Sequence, residues 1–317
     1  MKPSPTLPRL KFSIVFLATL AAISARPICT QVQQSQPHLT PQELRLYQRA
    51  RTPMDWTADE IRVNRDLQHI QLAESQRDLP VILKKVGDSV ATLFQNLPNI
   101  TCAEKVVSHA RSFQSHSTGE EGSTYWFRYQ VLVHMRDGTP FLEEYRTETN
   151  GNVVDYARFP HAPMHASRPI ATVLNFHPHI QAACRFRYFG RQDIEGRQCE
   201  VVGFAQTPDG DPTVSVLRLR NKTAGLLLQG LAWIDATSHQ MLRIQTDLLA
   251  PRPDVGLEVL TTEIDFRDIQ LAETPATFRL PSRVTIDLWT GGQHFRNIHE
   301  YSDFKLFRVE SRIGGTP

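Results

Sequence analysis

From about position 99 onward the chain is broken at short intervals by the dipeptides that tight hairpin turns demand. Asp137-Gly138, Asn150-Gly151 and Gly291-Gly292 each stand between runs of alternating apolar and polar residues. Two-residue hairpin turns need positive φ at their central positions, which Gly, Asn and Asp tolerate. The last of these turns can be checked by register. A two-residue turn at Gly291-Gly292 sets Leu288 opposite Phe295, Ile286 opposite Asn297 and Asp287 opposite Arg296. Val284, Ile286, Leu288 and Phe295 then share one face, and an opposite-charge pair falls on the other, as a correct register should arrange.

The same reading continues along the chain. Residues 124–159 suggest a three-strand meander, residues 228–248 a hairpin around a polar turn, and residues 214–220 and 258–271 further strands. About ten strands joined mostly by short turns favour one continuous antiparallel sheet, and a sheet of that length normally curls or closes. Helical signals are confined to the start and middle. Thr40 with Glu43 and Thr57 with Glu60 have capping-box spacing. Between 81 and 97, Ile82, Val86, Val90, Leu93, Phe94 and Leu97 fall on one helical face. Gly87 inside that run costs about 1 kcal/mol against Ala. A short helical piece is expected near 170–176.

The first 25 residues have the layout of a cleaved secretory signal: Lys2, Arg9 and Lys11, then an apolar run from Phe12 ending in small residues. That run is shorter than the roughly 20 residues needed to cross a bilayer, and no later stretch is apolar enough to span. Removing the signal takes away three positive charges and no negative ones, which moves the net charge from +2 to −1. No clustered basic surface of the kind a nucleic-acid partner requires is visible. The expected division is a signal over 1–25, a linker and helical leader over 26–98, a sheet domain over 99–311 and a frayed tail over 312–317.

An exported protein permits disulfides. Cys184 and Cys199 bracket a hairpin whose turn can be placed in two ways. A turn at Arg191-Gln192 puts the two cysteines opposite each other. A turn at Glu195-Gly196 puts Cys199 opposite Gln192 and forbids the bond. The pair is the expectation, worth about 3 kcal/mol in the chain-entropy model.

Searching for chemistry finds no GxSxG, HExxH or P-loop, and no GxGxxG after a strand. His161, His165, His177 and His179 cluster around Met164, but no carboxylate or thiolate completes a ligand set, so neither metal nor cofactor is expected. The His299-Glu300 pair in "HEYSD" lies on a strand and lacks a second histidine at helical spacing. Asn99-Ile100-Thr101 and Asn221-Lys222-Thr223 are glycosylation acceptors only where the host glycosylates. An enzyme is therefore not the expectation.

"FRYFGRQDIEGRQCEVVGF", "GLAWIDATSHQMLRI", "TEIDFRDIQL" and "LPSRVTIDL", in that order over about residues 184–309, resemble the periplasmic lipoprotein-carrier superfamily, the Lol-type carriers and their relatives. "LFQNLPNITCAEKV" with this part also resembles a group of exported bacterial proteins of no assigned function. The resemblance implies an α+β fold, mainly antiparallel β. A curved single sheet (half-barrel) would carry helices on one face, behind an N-terminal helical leader. It also implies an apolar hollow that takes acyl chains. The long leader departs from the family pattern, and the carriers' functional Arg and exposed apolar loop align with no residue of this chain.

The reading is a non-enzymatic protein of the periplasm or cell exterior that binds a lipid or lipidated partner. Trp233, Ile286, Leu288 and Phe295 are the candidate liners. The alternative is an envelope scaffold without a small ligand, docking through Tyr125, Trp126 and Tyr129.

Overall fold

The computed structural model describes residues 39–112, 121–152, 154, 168–208, 215–219, 222–272 and 274–307. The expected signal, the third strand of the first meander, His161, His165, the Asn221 acceptor and the C-terminal tail lie outside the described residues. Helices α1 (Pro41–Gln48) and α2 (Ala58–Val63) start at the two capping boxes. Thr40 N–H donates to Glu43 Oε2 at 2.6 Å and Thr57 N–H to Glu60 Oε2 at 2.7 Å, so each N-terminus satisfies its own unpaired amides. Helix α3 (Leu79–Asn96) buries Val86, Val90 and Phe94 on the face that the periodicity marks.

The strands are β1 (Gln71–Leu72), β2 (Ile100–Ser112), β3 (Glu121–Arg136), β4 (Thr139–Glu148), β5 (Cys184–Ile194), β6 (Arg197–Gln206), β7 (Ser215–Leu219), β8 (Lys222–Leu226), β9 (Leu228–Asp235), β10 (Met241–Leu248), β11 (Leu257–Gln270), β12 (Thr277–Thr290) and β13 (Gln293–Leu306). Eleven of them form one antiparallel sheet in the order β1-β5-β6-β9-β10-β11-β12-β13-β2-β3-β4, and β7 and β8 form a separate ribbon. Most neighbours are hairpin partners. The exception that shapes the molecule is β13 beside β2, paired from Gln293 opposite Ser112 to Leu306 opposite Ile100. It joins the first meander to the last hairpin.

The sheet is strongly curved, and one short segment demonstrates it. Residues 171–176 form a 3-10 turn. Ala171 N–H donates to Glu144 on β4 at 2.8 Å, while Asn175 Oδ1 accepts from Gln206 Nε2 on β6 at 2.9 Å. Strands β4 and β6 stand eight places apart in the sheet order, about 38 Å if the sheet were flat. Four residues of 3-10 helix span only about 8 Å. The two strands can meet one segment only if the sheet wraps around it. The wrapped face is the concave one, and α3 and residues 170–176 fill it with a continuous apolar core that runs from Tyr188 on β5 to Leu142 on β4.

The opposite face is covered too, at one end. Ile61, Leu67 and Trp56 of the leader pack on Phe189, Val201, Leu231 and Trp233. Arg187 Nη1 donates to Trp56 O at 2.6 Å and Arg185 Nη2 to Thr52 Oγ1 at 2.8 Å. Arg252, 2% exposed, holds α1 by bonds to Tyr47 OH at 3.2 Å and Glu43 Oε1 at 2.5 Å, and it also donates to Gly225 O on β8 at 2.6 Å. The helices thus divide: α3 lies in the hollow, and the leader braces the outside.

The expected Cys184–Cys199 disulfide is corrected. The β5–β6 turn falls at Glu195-Gly196, both at positive φ (51° and 77°). Cys199 therefore faces Gln192, Cys184 faces Gln206, and both thiols are free. Eight residues of strand separate Gln192 from Cys184, about 26 Å, which no S–S bond bridges.

Candidate functional site

Strands β12 and β13 pair in the register read from the sequence, with Leu288 opposite Phe295 and Ile286 opposite Asn297. Ile286, Leu288 and Phe295 are buried on the concave face, in the core shared with α3. Trp233 does not join them. It packs on the outer face with Leu67 and Phe189, and its Nε1–H donates to Gln192 Oε1 at 2.7 Å. Alternation decides the matter: Ala232 and Ile234 point into the hollow, so Trp233 between them points out. The apolar run 226–228 divides similarly, with Leu226 in the main core and Leu227 in a cluster with Tyr47.

The concave face has a second half that the sequence reading passes over. Around the β13–β2 seam it is polar and buried. Glu104, with a side-chain exposure of 0%, accepts from Arg146 Nε at 2.5 Å and Nη2 at 2.7 Å, and its Oε1 lies 2.8 Å from His299 Nδ1. Arg146 Nη2 also reaches Tyr301 OH at 3.5 Å, and Tyr129 OH donates to Glu144. The register builds this group. Glu104 stands opposite Tyr301 on one side and Phe127 on the other, Tyr129 stands opposite Arg146, and His299 stands opposite Val106.

Electrostatics fix the charge states. Burial acts to raise the Glu104 carboxyl, but the guanidinium of Arg146 and the bond from His299 outweigh it and bring the carboxyl down to about 2. Burial lowers His299 below its ordinary value against the pull of Glu104, so the imidazole is neutral at pH 7. Burial raises the Tyr129 and Tyr301 hydroxyls. The core of the group is a carboxylate, a guanidinium and a neutral imidazole, with the two charges paired bidentately.

A signal for these residues is present in the chain. In "CAEKVVSHA" alternation puts Glu104 on the same face as Cys102 and Val106. A carboxylate on a buried face implies a cation opposite it. Nothing local says which cation, because Arg146 lies 42 residues away and His299 lies 195 away. Glu300, next to His299 in sequence, points outward to Lys105 at 3.1 Å.

Of the three aromatics in the scaffold reading, Trp126 is exposed, Tyr125 is half-buried and Tyr129 is buried. His179 Nδ1 lies 3.0 Å from Thr139 Oγ1, and its backbone N–H donates to His177 Nδ1 at 3.3 Å. A groove of about 530 Å³ beside α1 is lined by charged residues, Arg45, Arg49 and Arg252 among them, and also by Leu46 and Pro253. Among the described residues no helix is long and apolar enough to cross a membrane.

No protein-family model matches the chain, and no curated protein matches it. Solved structures are similar to it. A domain described as an outer membrane lipoprotein-sorting protein, from Vibrio parahaemolyticus, is 14% identical over 73% of this chain and 94% of that one, with a TM-score of 0.39. A DUF1329 family protein from Desulfovibrio piger is 10% identical over 73% and 94%, with a TM-score of 0.36. The lipoprotein LppX of Mycobacterium tuberculosis is 9% identical over 71% and 95%, with a TM-score of 0.22.

Proposed function

We propose that this chain is an exported, non-enzymatic protein of the cell envelope that holds a lipid or the acyl part of a lipidated partner in the hollow of its curved sheet. The observation that carries the reading is how α3 sits there. The helix is pinned beyond both ends by polar bonds. Before it, Gln76 exchanges two bonds with the backbone of Tyr188, each 2.8 Å. After it, Asn99 Oδ1 accepts from Val133 N–H at 2.9 Å. Between those anchors, one side-chain bond ties the helix body to its neighbours among the described residues, from Gln181 Nε2 to Leu83 O at 2.9 Å.

The buried side chains of the helix, Val86, Val90 and Phe94, otherwise lie in the apolar core that it shares with residues 170–176 and the sheet. Such contact is non-directional and roughly proportional to area. An acyl chain offers the same kind of surface, worth about 0.8 kcal/mol per buried methylene. A strap fixed at its ends and held by grease along its length can lift and let such a chain take its place. Ile286, Leu288 and Phe295 are the sheet residues it would meet.

The test is native mass spectrometry of the protein isolated without detergent from the envelope fraction of expressing cells. The expected spectrum shows a lipid-sized adduct that dissociates on activation. A spectrum of bare protein alone, unchanged after incubation with envelope lipid extract, overturns the reading.

A further inference from the structure

The polar half of the concave face contains buried polar atoms that no described group bonds, His299 Nε2 and Ser108 Oγ among them. Glu104 is an ionised carboxylate and can only accept hydrogen bonds. The proton between Glu104 Oε1 and His299 Nδ1, 2.8 Å apart, must therefore sit on Nδ1. A neutral imidazole has one N–H, so His299 Nε2 is a bare lone pair. That atom is buried and has no partner among the described residues, and the same holds for Ser108 Oγ. His299 is 0% exposed and Ser108 3%.

The two belong to one place. Val106 is opposite His299, and Ser108 lies two residues further along the same strand face, opposite Asn297. Diagonal neighbours of this kind have backbone positions about 7–8 Å apart, and their side chains extend from the same strand face. Beside them Val106 packs with Phe127 and Val154 in an apolar cluster separate from the main core.

We propose that His299 and Ser108 form the seat for the hydroxyl of an apolar ligand, an aliphatic alcohol or acylglycerol. The inference rests on the lipid-binding reading above and names the head group that this hollow selects. A hydroxyl donates to Nε2 and at the same time accepts from Ser108, so it satisfies both atoms with one oxygen. A carboxylate or phosphate cannot: it brings no proton for Nε2, and it meets the negative charge of Glu104. The positive charge of Arg146 is already paired with Glu104, through Nε and Nη2, so the group as a whole offers an anion no net attraction. An ester or ether oxygen fails at Nε2, having nothing to donate.

The experiment measures binding of three probes with one chain length to the full protein at pH 7.5: 1-tetradecanol, tetradecyl methyl ether and myristate. The alcohol is expected to bind at least about tenfold more tightly than either of the others. Ser108→Ala is expected to cut that preference several-fold, and His299→Phe to abolish it. The serine variant removes one atom from the surface of a strand, so it tests the seat even where the histidine variant fails to fold. If alcohol and ether bind equally, the hollow takes acyl chains but the seat does not exist. If ether and myristate bind and the alcohol is disfavoured, the seat is likewise overturned. If none of the three binds, the lipid-binding reading itself falls, and the seat with it.

Discussion

Arg146 on β4 reaches across the whole width of β3 to grip Glu104 on β2, its guanidinium passing 5.2 Å from the centre of the Tyr129 ring. The pair closes the concave face at the seam where the first meander meets the last hairpin. Neither partner is solvated, with side-chain exposures of 6% and 0%. Removing one charge from such a pair strands the other in a dry interior, at a cost of about 3–5 kcal/mol. Glu104→Gln should destabilise the protein by that amount in urea titrations. The double variant Glu104→Gln/Arg146→Met should recover most of the loss, and full additivity of the two single changes would contradict the pairing.

His299 makes stability depend on pH in a defined window. Its folded pKa is depressed, chiefly by burial. As pH falls below the unfolded value of about 6.5, the unfolded chain takes up a proton that the folded chain resists, so stability present above that value is lost progressively below it. The groups facing the ring are Glu104 from β2, Arg146 from β4 and Tyr301 from its own strand. Wild type should therefore lose stability relative to His299→Gln between pH 6.5 and 5. Glu104, depressed to about 2, adds its own loss only below about 4.5. Parallel pH profiles of the two proteins above pH 5 would rule out the assignment.

Gly87 lies inside α3, where propensity alone says that Ala would gain about 1 kcal/mol. The structure reverses that sign. A Cβ there would lie 2.8 Å from Gln181 Nε2 and 3.3 Å from Phe176 O. Gln181 Nε2 is the atom that bonds Leu83 O and Phe176 O, so it cannot simply swing away. Gly87→Ala should cost a net of about 1 kcal/mol through overpacking, read as a lower urea midpoint with an unchanged slope.

The described cysteines should behave as buried, inert thiols. Burial raises all three, Cys184 to about 12 and Cys199 to about 11. Reactivity follows the thiolate fraction. Iodoacetamide at pH 8 should label Cys102, Cys184 and Cys199 slowly in the folded protein and rapidly in urea without reductant. Protection of Cys184 and Cys199 in urea until reductant is added would restore the disulfide.

Much of the sheet is legible because hairpins are local. The Gly291-Gly292 register followed from alternation and turn chemistry within fifteen residues, from Val284 to Ile298, and the structure shows the same partners. The Cys184–Cys199 hairpin failed because two turn positions sorted its residues almost equally well. Positive φ at Glu195, a residue with no special tolerance for it, decided between them. Trp233 failed for a different reason: the sheet is apolar on both faces there, so hydrophobicity no longer tells inside from outside.

By itself the sequence determined the local devices: the two capping boxes, the apolar stripe of α3, the hairpin turns and the faces that alternate along each strand. Those depend on residues within a few positions of one another, where backbone geometry leaves few choices. Only the tertiary structure decided that β13 lies beside β2. That single pairing brings His299 to Glu104 across 195 residues and curls the sheet around residues 171–176. Contacts of that separation depend on which long loop closures the whole core rewards, and no short window of the chain encodes that sum.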